Sequence, residues 1–288
     1  MIKKILAWGV ALLSAAAVAA AAYWHFNGDR LRAEYKEYRR TAAPILMYHA
    51  VGQRGDIEWP GSLIISEQLF EAHLRYLKDA GYNIVTVERL AQRLERGESV
   101  EGYIGMTFDD GYKNNYEVAL PLLRKYDAKA SFFVVNQFIG GKIHMDRREI
   151  KELIAAGMEL GSHTTSHAPL TRIDEKYLAW ELATSRYYLK TDFDRYVVRT
   201  LAYPNGGYND KVIAAAQKYG FYRAVTGHVG VNSAATYKKA PMEMYRVTVA
   251  DDGNGIDGLQ RRIEEAYIFG FLQTKGWDIN IVRDIFVR

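Results

Sequence analysis

The chain has 288 residues and no cysteine. That excludes disulfides, thiol nucleophiles, cysteine metal ligands and a lipidated N-terminal cysteine, and it leaves the compartment open. The main domain also lacks net charge. The formal charge is +4, but residues 1–43 hold seven Lys/Arg against three Asp/Glu, which leaves 31 of each sign in residues 44–288. A neutral domain argues against a nucleic-acid partner. No internal repeat, low-complexity tract or second domain boundary follows Pro44. What is present, 49% hydrophobic and 25% charged residues, is a globular composition long enough for one large barrel or two small domains.

Residues 1–26 form a separate unit. Lys3 and Lys4 precede an apolar run from Ile5 to Trp24. This run matches the ~20 residues that span a bilayer. Tyr23, Trp24 and Phe26 suit the interface, whereas the small residues Val18 to Ala22 suit signal-peptidase cleavage. The two expectations are an uncleaved membrane anchor and a cleaved signal peptide. Residues 27–43 read as a basic stalk, helical over Leu31 to Arg40. Its cations oppose export under the positive-inside rule, but large domains translocate despite flanking charge.

From Pro44 strands and helices alternate. Strands are expected at Ile45–His49, Ile84–Val87, Ile104–Asp109, Ala130–Val135, Glu159–Ser162, Thr200–Tyr203, Arg223–Thr226 and Tyr245–Val249. Helical periodicity marks Ser66–Ala80, Val87–Glu95, Asn115–Tyr126, Arg147–Ala156, Glu175–Lys190, Asp210–Tyr219 and Gly258–Phe269. Gly81, Gly157 and Gly220 follow helical runs, where C-terminal glycines belong. Eight strands alternating with helices imply an α/β fold, a distorted (β/α) barrel over residues 44–288.

Three stretches carry chemistry. In TFDDGY, Thr107 to Tyr112, an apolar strand ends in two adjacent carboxylates, Asp109 and Asp110. Neighbouring acids repel unless a positive group sits beside them, and a metal ion is the candidate. The bland reading is a solvated turn. In ELGSHTTSH, Glu159 to His167, two histidines four residues apart follow another strand. His163 and His167 with one carboxylate make a two-His-one-carboxylate metal set with positions left open. In RTLAYPNGGY, Arg199 to Tyr208, a strand runs into a sharp turn whose backbone N–H groups can form an oxyanion site.

TFDDGY, SHTTSH and a strand ending in Pro-Asn-Gly, in this order, resemble the NodB-type domain of carbohydrate esterase family four, the polysaccharide deacetylases. PILMYHAVG, Pro44 to Gly52, and LAYPNGGYND, Leu201 to Asp210, are similar to the branch that deacetylates poly-β-1,6-N-acetylglucosamine in biofilm matrices. The resemblance covers roughly residues 44–250. It implies a distorted barrel of the NodB type and a divalent metal, usually zinc, with Asp110, His163 and His167 as ligands and Asp109 as base. It also implies the backbone of Asn205 at the oxyanion and an N-acetylated polysaccharide as partner. That substrate lies outside the cytoplasm, reached by membrane anchorage or secretion through the N-terminal hydrophobic helix. Peptidoglycan and chitin-like oligomers are the alternative substrates. A non-haem iron oxygenase and a non-catalytic glycan binder are the alternatives of other classes.

Two departures stand out. Where the wider family places an Arg oriented toward the base, this chain has Ala202, and the aromatic expected after the proline is Asn205. The orientation of Asp109 is therefore left open. For the general acid, the branch resemblance implies His49, which ends the first strand, and the wider family implies His228 in a late Gly-flanked loop. Tyr48, Tyr112, Tyr203 and Tyr208 lie at motif ends, where their rings could stack on sugars. His73 reads as surface or packing, His144 as a loop residue, and Trp180, Tyr187 and Tyr188 as core.

Overall fold

The computed structural model describes residues 28–53, 63–194 and 196–277. The chain divides into two compact units, Met1–Arg39 and Arg40–Arg288. In the first, residues from 28 onward are helical, part of α1 (28–41), with exposed ion pairs Arg30–Glu34 and Arg32–Asp29. The apolar run Ile5 to Trp24 lies outside the described residues. Among those that are described, no helix is long and apolar enough to cross a membrane.

The second unit is built on eight parallel strands: β1 (Ile45–Tyr48), β2 (Asn83–Val85), β3 (Tyr103–Phe108), β4 (Ser131–Val134), β5 (Glu159–Ser162), β6 (Thr200–Ala202), β7 (Arg223–Val225) and β8 (Val247–Thr248). They form one curled sheet in the order β7-β6-β5-β4-β3-β1-β8, with β2 beside the first half of β3. Between the two ends of this sheet the chain improvises. Residues 241–246 run along β7 by backbone hydrogen bonds Ala224 N to Pro241 O, Met244 N to Ala224 O and Thr226 N to Met244 O, then enter β8 beside β1. This is the distorted barrel that the alternation implied.

Helices cover the sheet from outside: α2 (Glu67–Asp79), α3 (Val87–Arg96), α4 (Leu120–Lys125), α5 (Arg147–Ala155), α6 (Glu175–Asp192), α7 (Asp210–Lys218), α8 (Ala234–Lys239) and α9 (Gly255–Thr274). Side chains of Ser66, Thr86, Asp146, Asp174 and Asn209 accept from the first turns, as N-caps do. Gly81, Gly157 and Gly220 take positive φ just past α2, α5 and α7. The continuous α-helix expected from Asn115 to Tyr126 instead begins as a π-turn, Asn115–Ala119. Pro121 lacks the N–H that would close the regular turn there.

Strand interiors are buried on both faces, so apolar alternation is muted in the sequence. Close packing needs glycine in β5: a Cβ on Gly161 would lie 2.3 Å from the Phe133 ring. Buried Glu159, at the start of β5, accepts from Ser131 Oγ on β4 (2.6 Å), Thr200 Oγ1 on β6 (2.5 Å) and Glu88 N on α3 (2.8 Å). These bonds fix three strands at the end opposite the chemistry-bearing loops.

Candidate active site

All three sequence motifs leave the C-terminal ends of strands, and they meet there. A cavity of about 230 Å³ is lined by His49, Asp109, Asp110, His163, His167, Asn205 and Arg246, among others. Strand register explains the assembly. Tyr48 of β1 pairs with Phe108 of β3, so the next residues, His49 and Asp109, emerge side by side. The loops beyond bend sharply. Of the six non-glycine residues at positive φ among the described residues, Asp110 (71°), Thr164 (68°), His167 (65°) and Asn205 (55°) belong to these loops. Each such conformation costs of order ~1–3 kcal/mol and persists only when its surroundings enforce it.

Asp110, His163 and His167 converge. Both imidazole Nε2 atoms lie 3.5 Å from the same Asp110 oxygen, and the three ligand atoms fall within 4.8 Å of one another. His163 Nδ1 donates to Ala202 O at 2.9 Å, which leaves the Nε2 lone pair facing the carboxylate. Lone pairs converging on a carboxylate oxygen call for a cation, so this donor set fits a divalent metal, with an open side toward the cavity. Tyr112 bonds to Asp110 and stacks on His144 at 5.2 Å, supporting the carboxylate from behind.

Asp109 is held differently. Arg246, 1% exposed, clamps it with two hydrogen bonds, Nη1 to Oδ1 at 2.7 Å and Nη2 to Oδ2 at 2.8 Å. The guanidinium is itself fixed by Nε to Thr226 O (2.8 Å) and Nη1 to Thr107 Oγ1 (3.2 Å). Burial pushes the Asp109 carboxyl up, but the Arg246 guanidinium foremost outweighs it and holds the group down at about 2. It is a carboxylate at neutral pH. Arg246 answers the orientation question raised by Ala202: the cation arrives from the segment before β8, where no motif marked it.

Glu181 is the second residue that the motifs did not reveal. It sits fully buried on α6 and accepts from Thr165 N (2.8 Å), Ser166 N (2.9 Å) and Ser166 Oγ. It thereby anchors the loop that carries both histidines. Glu181→Ala strands two N–H donors, of which the buried one, Thr165 N, costs about 1–3 kcal/mol. Loosening of the loop should lower metal affinity by ~10–100-fold, as for other outer partners of ligands. Glu181→Gln keeps one acceptor and should fall between. Competition against a chromophoric chelator measures this, and wild-type affinity in the alanine variant would contradict the assignment.

The expectation of sugar-stacking rings needs correction for Tyr48 and Tyr112. Successive residues of a strand face opposite sides, so with Met47 and His49 on the cavity, Tyr48 points into the core. It is 0% exposed, between Phe70 and Phe108, with its hydroxyl on His73 Nδ1 at 3.1 Å. His73 is correspondingly a core residue, pushed down by burial to about 4. Tyr112 is buried against Asp110 and cannot offer a ring to a sugar. Tyr203 lines the cavity yet is 0% exposed, with its hydroxyl on Met242 O. Tyr208 stacks on Tyr203 and donates to Glu243, outside the cavity lining. Tyr187 and Tyr188, read as core, are 63% and 49% exposed. His49 lies in the cavity with its Nδ1 unpartnered, whereas His228 is exposed and packs against Tyr208.

Residues 96–224 match the family described as polysaccharide deacetylase. YxkH of Bacillus subtilis, named for this same family, is 32% identical over 228 residues, 79% of this chain and 78% of that protein. The chain belongs to the polysaccharide deacetylase family. A Staphylococcus aureus poly-β-1,6-N-acetyl-D-glucosamine N-deacetylase is 27% identical over 223 residues, 68% of this chain and 77% of that one. Among solved structures, the Streptococcus pyogenes deacetylase PplD in complex with acetate superposes with a TM-score of 0.69 at 28% identity, covering 78% of this chain and 99% of PplD. IcaB from Ammonifex degensii gives 0.65 at 25% identity, covering 77% and 96%. The chain is thus a hydrolase of carbon–nitrogen amide bonds, a polysaccharide N-deacetylase with a NodB-type barrel.

Proposed function

We propose that this deacetylase removes acetyl groups from poly-β-1,6-N-acetylglucosamine, using a divalent metal, zinc foremost, held by Asp110, His163 and His167. The observation that carries the reading is the convergence of that donor set beside the clamped carboxylate of Asp109 in one cavity. Its agreement with the Staphylococcus aureus relative supports the substrate. When bound, the metal supplies Lewis acidity, which makes water a competent nucleophile near neutral pH and polarises the acetyl carbonyl.

The remaining work falls to the chain's own groups. Asp109 accepts the proton of the attacking water; its clamp occupies one lone pair on each oxygen and leaves others free. Asn205, in the left-handed turn after β6, lines the cavity, and its backbone N–H is the proposed donor to the developing oxyanion. His49 returns a proton to the departing sugar amine. Burial pushes its imidazole down, against the pull of Asp109 and Asp110, so a proton placed there is readily given up. His49→Ala is expected to keep fold and metal and lose turnover by ~100-fold or more. His228→Ala should stay close to wild type; the reverse pattern would assign the acid to His228.

The decisive assay is acetate release from defined β-1,6- and β-1,4-linked N-acetylglucosamine oligomers, with and without chelator. Chelator-sensitive release favouring β-1,6 linkage supports the reading. A β-1,4 preference redirects the substrate to peptidoglycan or chitin-like chains, and no release from either overturns it. We also place the enzyme outside the cytoplasm, carried there by residues 1–26. Fractionation with N-terminal sequencing separates an anchor starting at Met1 from a signal cleaved near Tyr23.

A further inference from the structure

The catalytic cavity is small, about 230 Å³, against the ~300–1,000 Å³ of ordinary small-molecule pockets. It takes the acetamido end of one sugar, so the rest of a polymer must lie on the surface. We propose that a second groove, along α6, is a glycan-binding subsite that holds the same N-acetylglucosamine polymer away from the bond being cut. This rests on the N-deacetylase reading above.

The groove measures about 320 Å³ and runs between α6, the 136–139 loop after β4 and the start of α5. Trp180, Thr184, Tyr188 and Asp192 recur every fourth residue of α6 and therefore form one row. Trp180 is held flat by stacking on Tyr177, with centroids 5.1 Å apart and planes 9° apart. Tyr188 is half exposed. Two aromatic rings displayed along a solvent-facing row suit the apolar C–H face of a pyranose.

The opposite wall supplies what a sugar's hydroxyl and acetamido groups need. Asn136 lines the wall, with its Nδ2 donating to Ser185 O (3.3 Å) and its Oδ1 buried without a partner. Gln137 is exposed beside it. Arg147 Nε pairs with Asp192 at 2.9 Å, which gives a fixed set of donors and acceptors with no net charge. A groove balanced in this way fits an uncharged, acetylated polymer rather than an anionic ligand.

The groove borders the loop that carries the two histidines. Asn136 N and Gln137 N donate to Thr164 O (3.2 Å) and Thr165 O (2.9 Å). Thr165 lines the groove and lies two residues from both His163 and His167. This shared loop is the route by which the proposed subsite and the cavity would hold one chain.

The test compares wild type with Trp180→Ala, Tyr188→Ala and Thr184→Arg, the last filling the groove. Tyr188 is half exposed, so its removal spares the fold, and circular dichroism checks all three. Acetate release is followed on N-acetylglucosamine oligomers from dimer to hexamer. Wild-type kcat/KM should rise with length, and the hexamer-to-dimer ratio should fall by about tenfold or more in the variants. Ratios within about twofold of wild type in all three would overturn the subsite. A parallel calorimetric titration of hexamer into the full chain, with chelator to stop turnover, separates the two proposals. If wild type releases no acetate from any oligomer, the substrate reading fails. Hexamer binding weakened about tenfold by Trp180→Ala then retains the groove as a glycan site, whereas absent or unaffected binding removes it.

Discussion

Arg246→Ala is expected to be among the most damaging single substitutions in the barrel. The side chain is 1% exposed and makes two hydrogen bonds to a carboxylate that is 2% exposed. Removing it leaves Asp109 as a buried charge without a partner, at a cost of about 3–5 kcal/mol. It also frees Asp109 to rotate, so if Asp109 is the base, as proposed, turnover should fall by ~100-fold or more, because a displaced base loses most of its contribution. Arg246→Lys should recover little, since an ammonium cannot reproduce the two parallel bonds. The paired change Arg246→Met with Asp109→Leu separates the two effects. Replacing both charges by apolar groups should return much of the stability while the enzyme stays inactive. Urea denaturation of the set measures this; a loss below about 1 kcal/mol in Arg246→Ala would show that the clamp is not what holds Asp109.

Asp109→Asn should be nearly as inactive for a different reason. The carboxamide keeps the shape but cannot accept the proton of water, so turnover is expected to drop by ~100-fold or more. It also turns an NH2 group toward the Arg246 guanidinium, setting donor against donor. A stability loss of about 1–3 kcal/mol should accompany the change. Metal content should be unaffected, because the proposed donor set is Asp110, His163 and His167. Near-normal turnover in the folded, metal-loaded variant would exclude Asp109 as the base.

The parts of this site that are legible in the sequence are those where local order reports global position. TFDDGY and ELGSHTTSH each close an apolar strand with polar residues, and strands of a parallel barrel bring those ends together. Arg246 was not legible, because it reaches Asp109 across the irregular seam between β7 and β8, 137 residues away in the chain. Nothing in local pattern encodes that register. Glu181 was hidden by its neighbours. Within Trp180-Glu181-Leu182 a glutamate reads as part of a solvated face, and only the loop above shows why it is buried. Tyr48 was misread because β1 is buried along its whole length, so the sequence does not say which residues face the cavity. Tyr187 and Tyr188 were misread for the opposite reason: aromatic character suggested the core, but their positions on α6 turn both outward.

The central claim is that Asp110, His163 and His167 hold the metal on which deacetylation depends. It is tested most directly by measuring metal content and acetate release on the same preparations of wild type and His163→Ala. Elemental analysis of wild type should give one divalent metal ion per chain, with acetate released from N-acetylglucosamine oligomers. In His163→Ala both should disappear together while the far-ultraviolet circular dichroism is retained. A folded His163→Ala protein that still carries stoichiometric metal, or wild type that releases acetate with no metal present, would contradict the claim.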